Sequence, residues 1–175
     1  MNQNRIARFQ KISFEQYIGD VASSRTVNLS SADDINNIKK EYDEIIIPAR
    51  ATIRSAGYDF YSPFEFTLLP NVTILIPTGI RCQMDESWVL NIYPRSSLGF
   101  KYQLGLANNT AIIDSDYYFA NNEGHIMIKL VNKGDKTVSI KQNDRFVQGV
   151  FLPYGITFDD EVETLRTGGI GSTNV

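Results

Sequence analysis

Three short segments carry side chains that could do chemistry on a phosphorylated substrate. Pro94-Arg95-Ser96-Ser97-Leu98-Gly99-Phe100-Lys101 sets a guanidinium and two hydroxyls at the end of the strand-like run 88–92. The planar fork of Arg95, the hydroxyls and the turn N–H groups all donate, which suits phosphate oxygens. Alone, this octapeptide is better read as a strand-end turn with solvated charges. Ala111-Ile112-Ile113-Asp114-Ser115-Asp116-Tyr117 places two carboxylates two residues apart, on one face of an extended strand. Crowded acids can raise one pKa and make a base, or hold a divalent cation. Alone, a hairpin end with two solvated Asp is the simpler account. Arg54-Ser55-Ala56-Gly57-Tyr58-Asp59-Phe60 puts a carboxylate beside a glycine that permits close backbone approach.

The elements that must hold these residues are mostly strands. After residue 44, apolar runs at 45–47, 64–69, 72–76, 88–92, 111–113, 126–131, 136–140 and 145–152 alternate with Gly, Pro and Asn. Leu69-Pro70-Asn71-Val72 and Asn132-Lys133-Gly134-Asp135 are turn signals. Short strands at this spacing predict a β-sandwich or jelly roll rather than βαβ units. Before residue 44 the chain is polar. Ser31 followed by Asp33 and Asp34 is a capping start, and Ile35, Ile38 and Tyr42 follow at helical spacing, so one short helix is predicted over 32–42. Ile6–Ile12 reads as a first strand and Ser13–Tyr17 as one helical turn. The segment 157–175 is acidic and then Gly-rich, and cannot build a core. One domain over 1–175 is the economical reading, with 1–43 an extended N-terminal region and 157–175 a flexible arm.

Composition excludes some classes. A net charge of −3 gives no basic field for a nucleic-acid backbone, yet local Arg, Lys and N–H groups with a cation can still hold a triphosphate. The single cysteine, Cys82, cannot form an intrachain disulfide and reads as a buried, inert thiol. No run reaches the roughly 18 apolar residues of a membrane span, and MNQNRIARFQ lacks an apolar signal core. A cytoplasmic protein with no membrane partner is expected.

The order of the segments says more than any one of them. Ala-Gly-x-Asp (56–59), Pro-Arg-Ser-Ser-Leu-Gly (94–99), Ile-Asp-x-Asp-Tyr (113–117), Asp144-Arg145-Phe146-Val147-Gln148 and Arg166-x-Gly-Gly-x-Gly-Ser-Thr resemble the five ordered motifs of dUTPases. The resemblance runs from about residue 54 to 174. It implies an all-β, jelly-roll-like homotrimer whose active sites are shared between chains, with a C-terminal tail swapped onto its neighbours. It implies hydrolysis of dUTP to dUMP and pyrophosphate with Mg²⁺. Asp114 would be the general base for water attacking the α-phosphorus, and Asp59 would hold Mg²⁺ through its water shell. Arg95, Ser96, Ser97 and Gln148 would contact phosphate, Asn108 would sit in the uracil pocket, and Tyr117 would pack on deoxyribose and exclude a 2′-hydroxyl. Arg166, Gly169, Ile170, Ser172 and Thr173 would belong to the closing tail.

Several positions depart from the family pattern. Ala111 replaces a common Gly, and Asn143 stands where Gly often precedes the fourth motif. Tyr118-Phe119-Ala120-Asn121-Asn122-Glu123 lengthens the third motif's hairpin, as surface elaboration or as a site for a protein partner; His125 at its end reads as structural. Residues 13–43 exceed the usual N-terminus and carry no functional assignment beyond covering a sheet edge. A dCTP deaminase of the same fold is the rival enzyme, but it carries a catalytic Glu where this chain has Lys129. A dUTP-sensing binding module is the non-enzymatic rival, and the intact Asp114 speaks for catalysis. Ile170 stands where the family has a Phe that stacks on uracil, a geometry worth about 0.5–1.5 kcal/mol. Ile170→Phe is therefore expected to lower KM for dUTP with little change in kcat; steady-state kinetics check this, and a rise in KM would contradict it.

Overall fold

The structure is a computed structural model describing residues 4–25, 27–164 and 166–168. Its organising sheet has five strands in the order β2-β3-β12-β7-β9, namely Ala49–Arg50, Tyr58–Tyr61, Arg145–Pro153, Trp88–Pro94 and Ala111–Ile113. Every pairing within it is antiparallel. A three-stranded sheet orders β5 (Thr73–Pro77), β10 (Met127–Asn132) and β8 (Leu104–Leu106). Two ribbons complete the strands: β1 (Ala7–Lys11) on β6 (Ile80–Met84), and β11 (Val138–Ile140) on β4 (Phe66–Leu68). This is the all-β architecture expected from the runs of short strands. Among the described residues no helix is long and apolar enough to cross a membrane.

The strands follow alternation. In β6, Ile80, Cys82 and Met84 are buried while Arg81 and Gln83 are not. The run 45–47 forms no strand; pairing begins at Ala49, after Pro48, which has no N–H to donate. Asn132 pins the turn after β10: its amide donates to the Leu68 and Lys136 carbonyls and its oxygen accepts from Gly134 N–H. Asn143 adopts φ 66°, so it does the work of the expected glycine there.

Helix is richer than the single short helix expected. Three α-helices are present among the described residues: α1 (Phe14–Ser24), α2 (Ala32–Asp43) and α3 (Ser96–Tyr102). The predicted turn at Ser13–Tyr17 is the start of the eleven-residue α1. Ser13 Oγ caps it by accepting from Gln16 N–H at 3.1 Å, and Tyr17 and Val21, four apart, are fully buried. Packing overrides Gly19, which costs about 1 kcal/mol against Ala in a helix interior. In α2, Ser31 caps Asp34 N–H and Ile38 is the buried residue. The two helices are tied by a two-pronged Arg25–Glu41 pair and by Tyr42, whose hydroxyl donates to Ile12 O at 2.6 Å. Their apolar faces join the same core as the sheets.

The centre of that core is tight. A Cβ at Gly149, in β12, would stand 2.8 Å from Leu90 Cδ1, 3.1 Å from Phe60 Cε2 and 3.2 Å from Ile92 Cδ1. Phe60, Leu90 and Ile92 are themselves buried. Gly149→Ala is expected to destabilise the fold by about 1–3 kcal/mol through overpacking. Urea unfolding checks this, and an unchanged midpoint would mean the neighbouring side chains give way.

Candidate active site

The residues singled out in the sequence gather in two places. The first is a cavity of about 720 Å³, a size that suits a small organic ligand. Its wall includes Asn108, Asp114, Tyr117 and Arg166, with Leu75, Leu106 and Ile128 as apolar lining. β9 ends at Ile113, so Asp114 and Asp116 do not share a strand face as expected. Asp114 precedes a 3₁₀ turn, Ser115–Phe119, and Asp116 lies in its first turn. Ala111 sits in extended backbone that accepts its Cβ.

Arg166 bridges the two acids, with Nη2 2.7 Å from Asp114 Oδ2 and Nε 2.9 Å from Asp116 Oδ1. It folds back onto its own chain here, whereas the resemblance places it over a neighbour. Gly169, Ile170, Ser172 and Thr173 lie outside the described residues. Tyr117 is buried and lines the cavity. Its hydroxyl donates to His125 O at 2.8 Å and accepts from the Asn122 amide at 2.8 Å.

The extended hairpin expected at 118–125 is not a hairpin. β9 pairs with β7 while β10 pairs with β5 and β8, and the link is a 3₁₀ turn, Ser115–Phe119, followed by a reversal at Glu123 and Gly124, both at positive φ. His125 is structural as expected: it is fully buried, with Nδ1 2.6 Å from Asp20 Oδ2 and Nε2 accepting from Gly79 N–H.

The second place is a smaller hollow lined by Gly57, Asp59, Arg95, Ser96, Arg145 and Gln148, among others. Strand register builds it. Asp59 lies opposite Gln148, Gln148 lies opposite Tyr93, and Arg95 follows two residues on. Asp59 is buried between two guanidinium groups, 3.1 Å from Arg95 Nε and 3.1 Å from Arg145 Nη1. Gly57 allows close approach as expected, since a Cβ there would stand 2.6 Å from Gln148 Oε1. Ser96 and Ser97 open α3, so their N–H groups have no intrahelical acceptor. Ser97 is exposed and does not line the hollow. Two charged lining residues had no assigned role in the sequence. Arg145 was legible as the cation beside Gln148 in the fourth motif, whereas nothing in the sequence pointed to Asp20, which lines the large cavity.

The two places are far apart in one chain. The register Leu90↔Ile113 sets Asp114 beside Val89, six residues along β7 from Arg95. At about 3.3 Å per residue, that is roughly 20 Å.

Comparison with known proteins then decides the family. The dUTPase family model matches residues 43–174. The chain belongs to the dUTPase family. The deoxyuridine 5′-triphosphate nucleotidohydrolase of Lactococcus lactis subsp. lactis is 42% identical over 132 residues, 74% of this chain and 88% of that one. The dUTPase of Streptococcus mutans superposes with a TM-score of 0.60 at 39% identity, covering 66% of this chain and 91% of that one. A dUTPase from phage phi11 of Staphylococcus aureus, in which a structural Mg(II) ion is coordinated, shares the fold with a TM-score of 0.56 at 23% identity, over 68% and 90% of the two chains. The dUTPase match begins at residue 43, so α1 and nearly all of α2 lie outside it.

Burial raises the pKa of Asp114; Arg166 opposes that rise and Asp116 adds to it. Removing a like charge eases ionisation and removing a cation hinders it. Asp116→Asn is therefore expected to lower the Asp114 midpoint and Arg166→Ala to raise it. NMR titration of the Asp114 carboxyl carbon checks both signs, and a midpoint indifferent to either change would discard this account.

Proposed function

We propose that this chain hydrolyses dUTP to dUMP and pyrophosphate. The observation that carries the reading is Asp114, a carboxylate whose pKa is raised, set in the wall of a nucleoside-sized cavity with Asn108 and Tyr117. Raising its pKa makes the carboxylate a better proton acceptor, and positioned bases of this kind are worth about 10²–10⁴-fold in rate. Asp114 takes a proton from water as the oxygen attacks the α-phosphorus. The new P–O bond forms while the bond to the bridging oxygen opposite breaks, and pyrophosphate leaves. Asn108 reads the uracil edge, and the ring of Tyr117 packs on deoxyribose. Arg95, Ser96 and Gln148 hold phosphate oxygens, with Ser97 contributing through its N–H. Arg166 exchanges its two carboxylates for phosphate when substrate enters, and the residues after it close the site. Lys129 lines the same cavity, where a deaminase would need a carboxylate.

The donor set suits Mg²⁺ that arrives with the nucleotide. Both oxygens of Asp59 already face arginines, and the described residues contain no cluster of three His, Cys, Asp or Glu side chains able to hold a metal. Asp59 would therefore touch the cation through its water shell rather than directly, as hard Mg²⁺ prefers. A Mg²⁺ held there would supply positive charge against the pyrophosphate leaving group.

Roughly 20 Å of β7 between Asp114 and Arg95 is too far for one chain to use both on adjacent atoms of one triphosphate. We infer that a complete site joins the Asp114 cavity of one protomer to the Arg95 hollow of another, in a homotrimer. Asp114→Asn and Arg95→Ala are each expected to abolish Mg²⁺-stimulated pyrophosphate release from dUTP. Mixed and reassembled, the two inactive variants should regain part of the activity, because some sites then unite an intact half from each. Mixtures as silent as the parents would refute the shared site, and a folded wild type silent on dUTP would refute the activity.

A further inference from the structure

Two segments distant in sequence touch each other at the rim of the nucleoside cavity. One is the N-terminal region outside the family match. The other is the stretch 118–125 between the 3₁₀ turn and β10. Ser13 donates to Glu123 twice, from N–H at 2.8 Å and from Oγ at 2.6 Å. Tyr118 donates to Gln10 Oε1 at 2.8 Å, and the Arg81 guanidinium stacks 3.6 Å from the Tyr118 ring centroid. The third tie is Asp20 of α1, whose Oδ2 receives both His125 Nδ1 at 2.6 Å and the Gln16 amide at 2.8 Å.

That third tie leads into the cavity. His125 Nε2 accepts from the Gly79 N–H, so this nitrogen carries no proton and Nδ1 donates to Asp20. The ring is therefore clamped at both nitrogens. The backbone carbonyl of the same residue receives the Tyr117 hydroxyl, and Tyr117 lines the cavity beside Asn122 and Asp20. Burial raises the Asp20 pKa, but the bonds from His125 and Gln16 outweigh it and hold the carboxyl below its ordinary value.

We propose that Asp20 is a positioning residue that fixes Tyr117 through His125 and so sets how strictly the pocket rejects a 2′-hydroxyl. This rests on the reading that Tyr117 packs against the sugar. A Tyr117 ring left loose would give way to a ribose, and it would hold deoxyribose less well. Groups that act through a shared contact are coupled, so their substitutions should not add.

The test is steady-state kinetics on dUTP and UTP for the wild type, Asp20→Ala, Asp20→Asn, Tyr117→Phe and the Asp20→Ala/Tyr117→Phe double variant. Asp20→Ala is expected to raise KM for dUTP about tenfold with a smaller change in kcat, and to lose about tenfold of the preference for dUTP over UTP. Asp20→Asn should recover most of both, because an amide oxygen still accepts the Nδ1 proton. The double variant should lose no more preference than the worse single one. A folded Asp20→Ala with wild-type preference, an Asp20→Asn as impaired as Asp20→Ala, or additive losses would each overturn the proposal. If Asp20→Ala does not fold, Asp20→Ser carries the same test, since its hydroxyl is too short to reach His125. A wild type inactive on dUTP would fail the parent reading, and a Tyr117→Phe with unaltered preference would also overturn the proposal, because that variant keeps the ring and loses only its tie to His125. A strong Tyr117→Phe effect beside a silent Asp20→Ala would fail only this inference.

Discussion

The antiparallel register of β7 against its two neighbours is the constraint on which the rest depends. On one side β12 aligns Gln148 with Tyr93 and Gly149 with Ile92; on the other, β9 aligns Ile113 with Leu90. The first alignment assembles the arginine-rich hollow, and the second delivers Asp114 to the cavity. Side chains alternate along a strand, so a slip of one residue would turn each set to the wrong face. The buried contacts of Leu90, Ile92 and Phe60 with Gly149 leave no room for such a slip. Apolar packing thus sets the placement of polar groups that it never touches.

Electrostatics in the two hollows are of opposite kinds. Around Asp59, two guanidinium groups meet one carboxylate, so the hollow presents excess positive charge and donors. Around Asp114, two carboxylates share one guanidinium, leaving an acid short of compensation. The first arrangement suits holding an anion and the second suits taking a proton. Their separation along β7 keeps the carboxylate pair away from the guanidinium groups of the other hollow within one chain.

Much of this was legible in the sequence because the signals are local. Short apolar runs between turn residues exposed most strands, Ser31 and its acidic followers marked α2, and the ordered motifs named Asp59, Arg95, Asp114 and Gln148 before any geometry was known. What stayed hidden depends on distant contacts. α1 looked like one turn because Gly19 and a run of small polar residues weaken its helical pattern, and only burial of Tyr17 and Val21 sustains it. β3, β6 and β8 escaped notice since Asp59, Arg81 and Gly105 interrupt runs that are otherwise apolar. Pro94–Lys101 read as a turn, but its serines open α3. Asp20 was invisible because its meaning comes from His125, more than a hundred residues away.

The mutual contacts of the N-terminal region and 118–125 make each depend on the other. A chain shortened to the family's usual start would leave His125 Nδ1 buried with nothing to receive its proton, and Glu123 without the serine that holds it. A chain that kept α1 but lost 118–125 would strand Asp20 and Ser13 in the same way. Each piece leans on polar partners from the other, so grafting one alone onto a host that lacks the other would leave those groups unpaired.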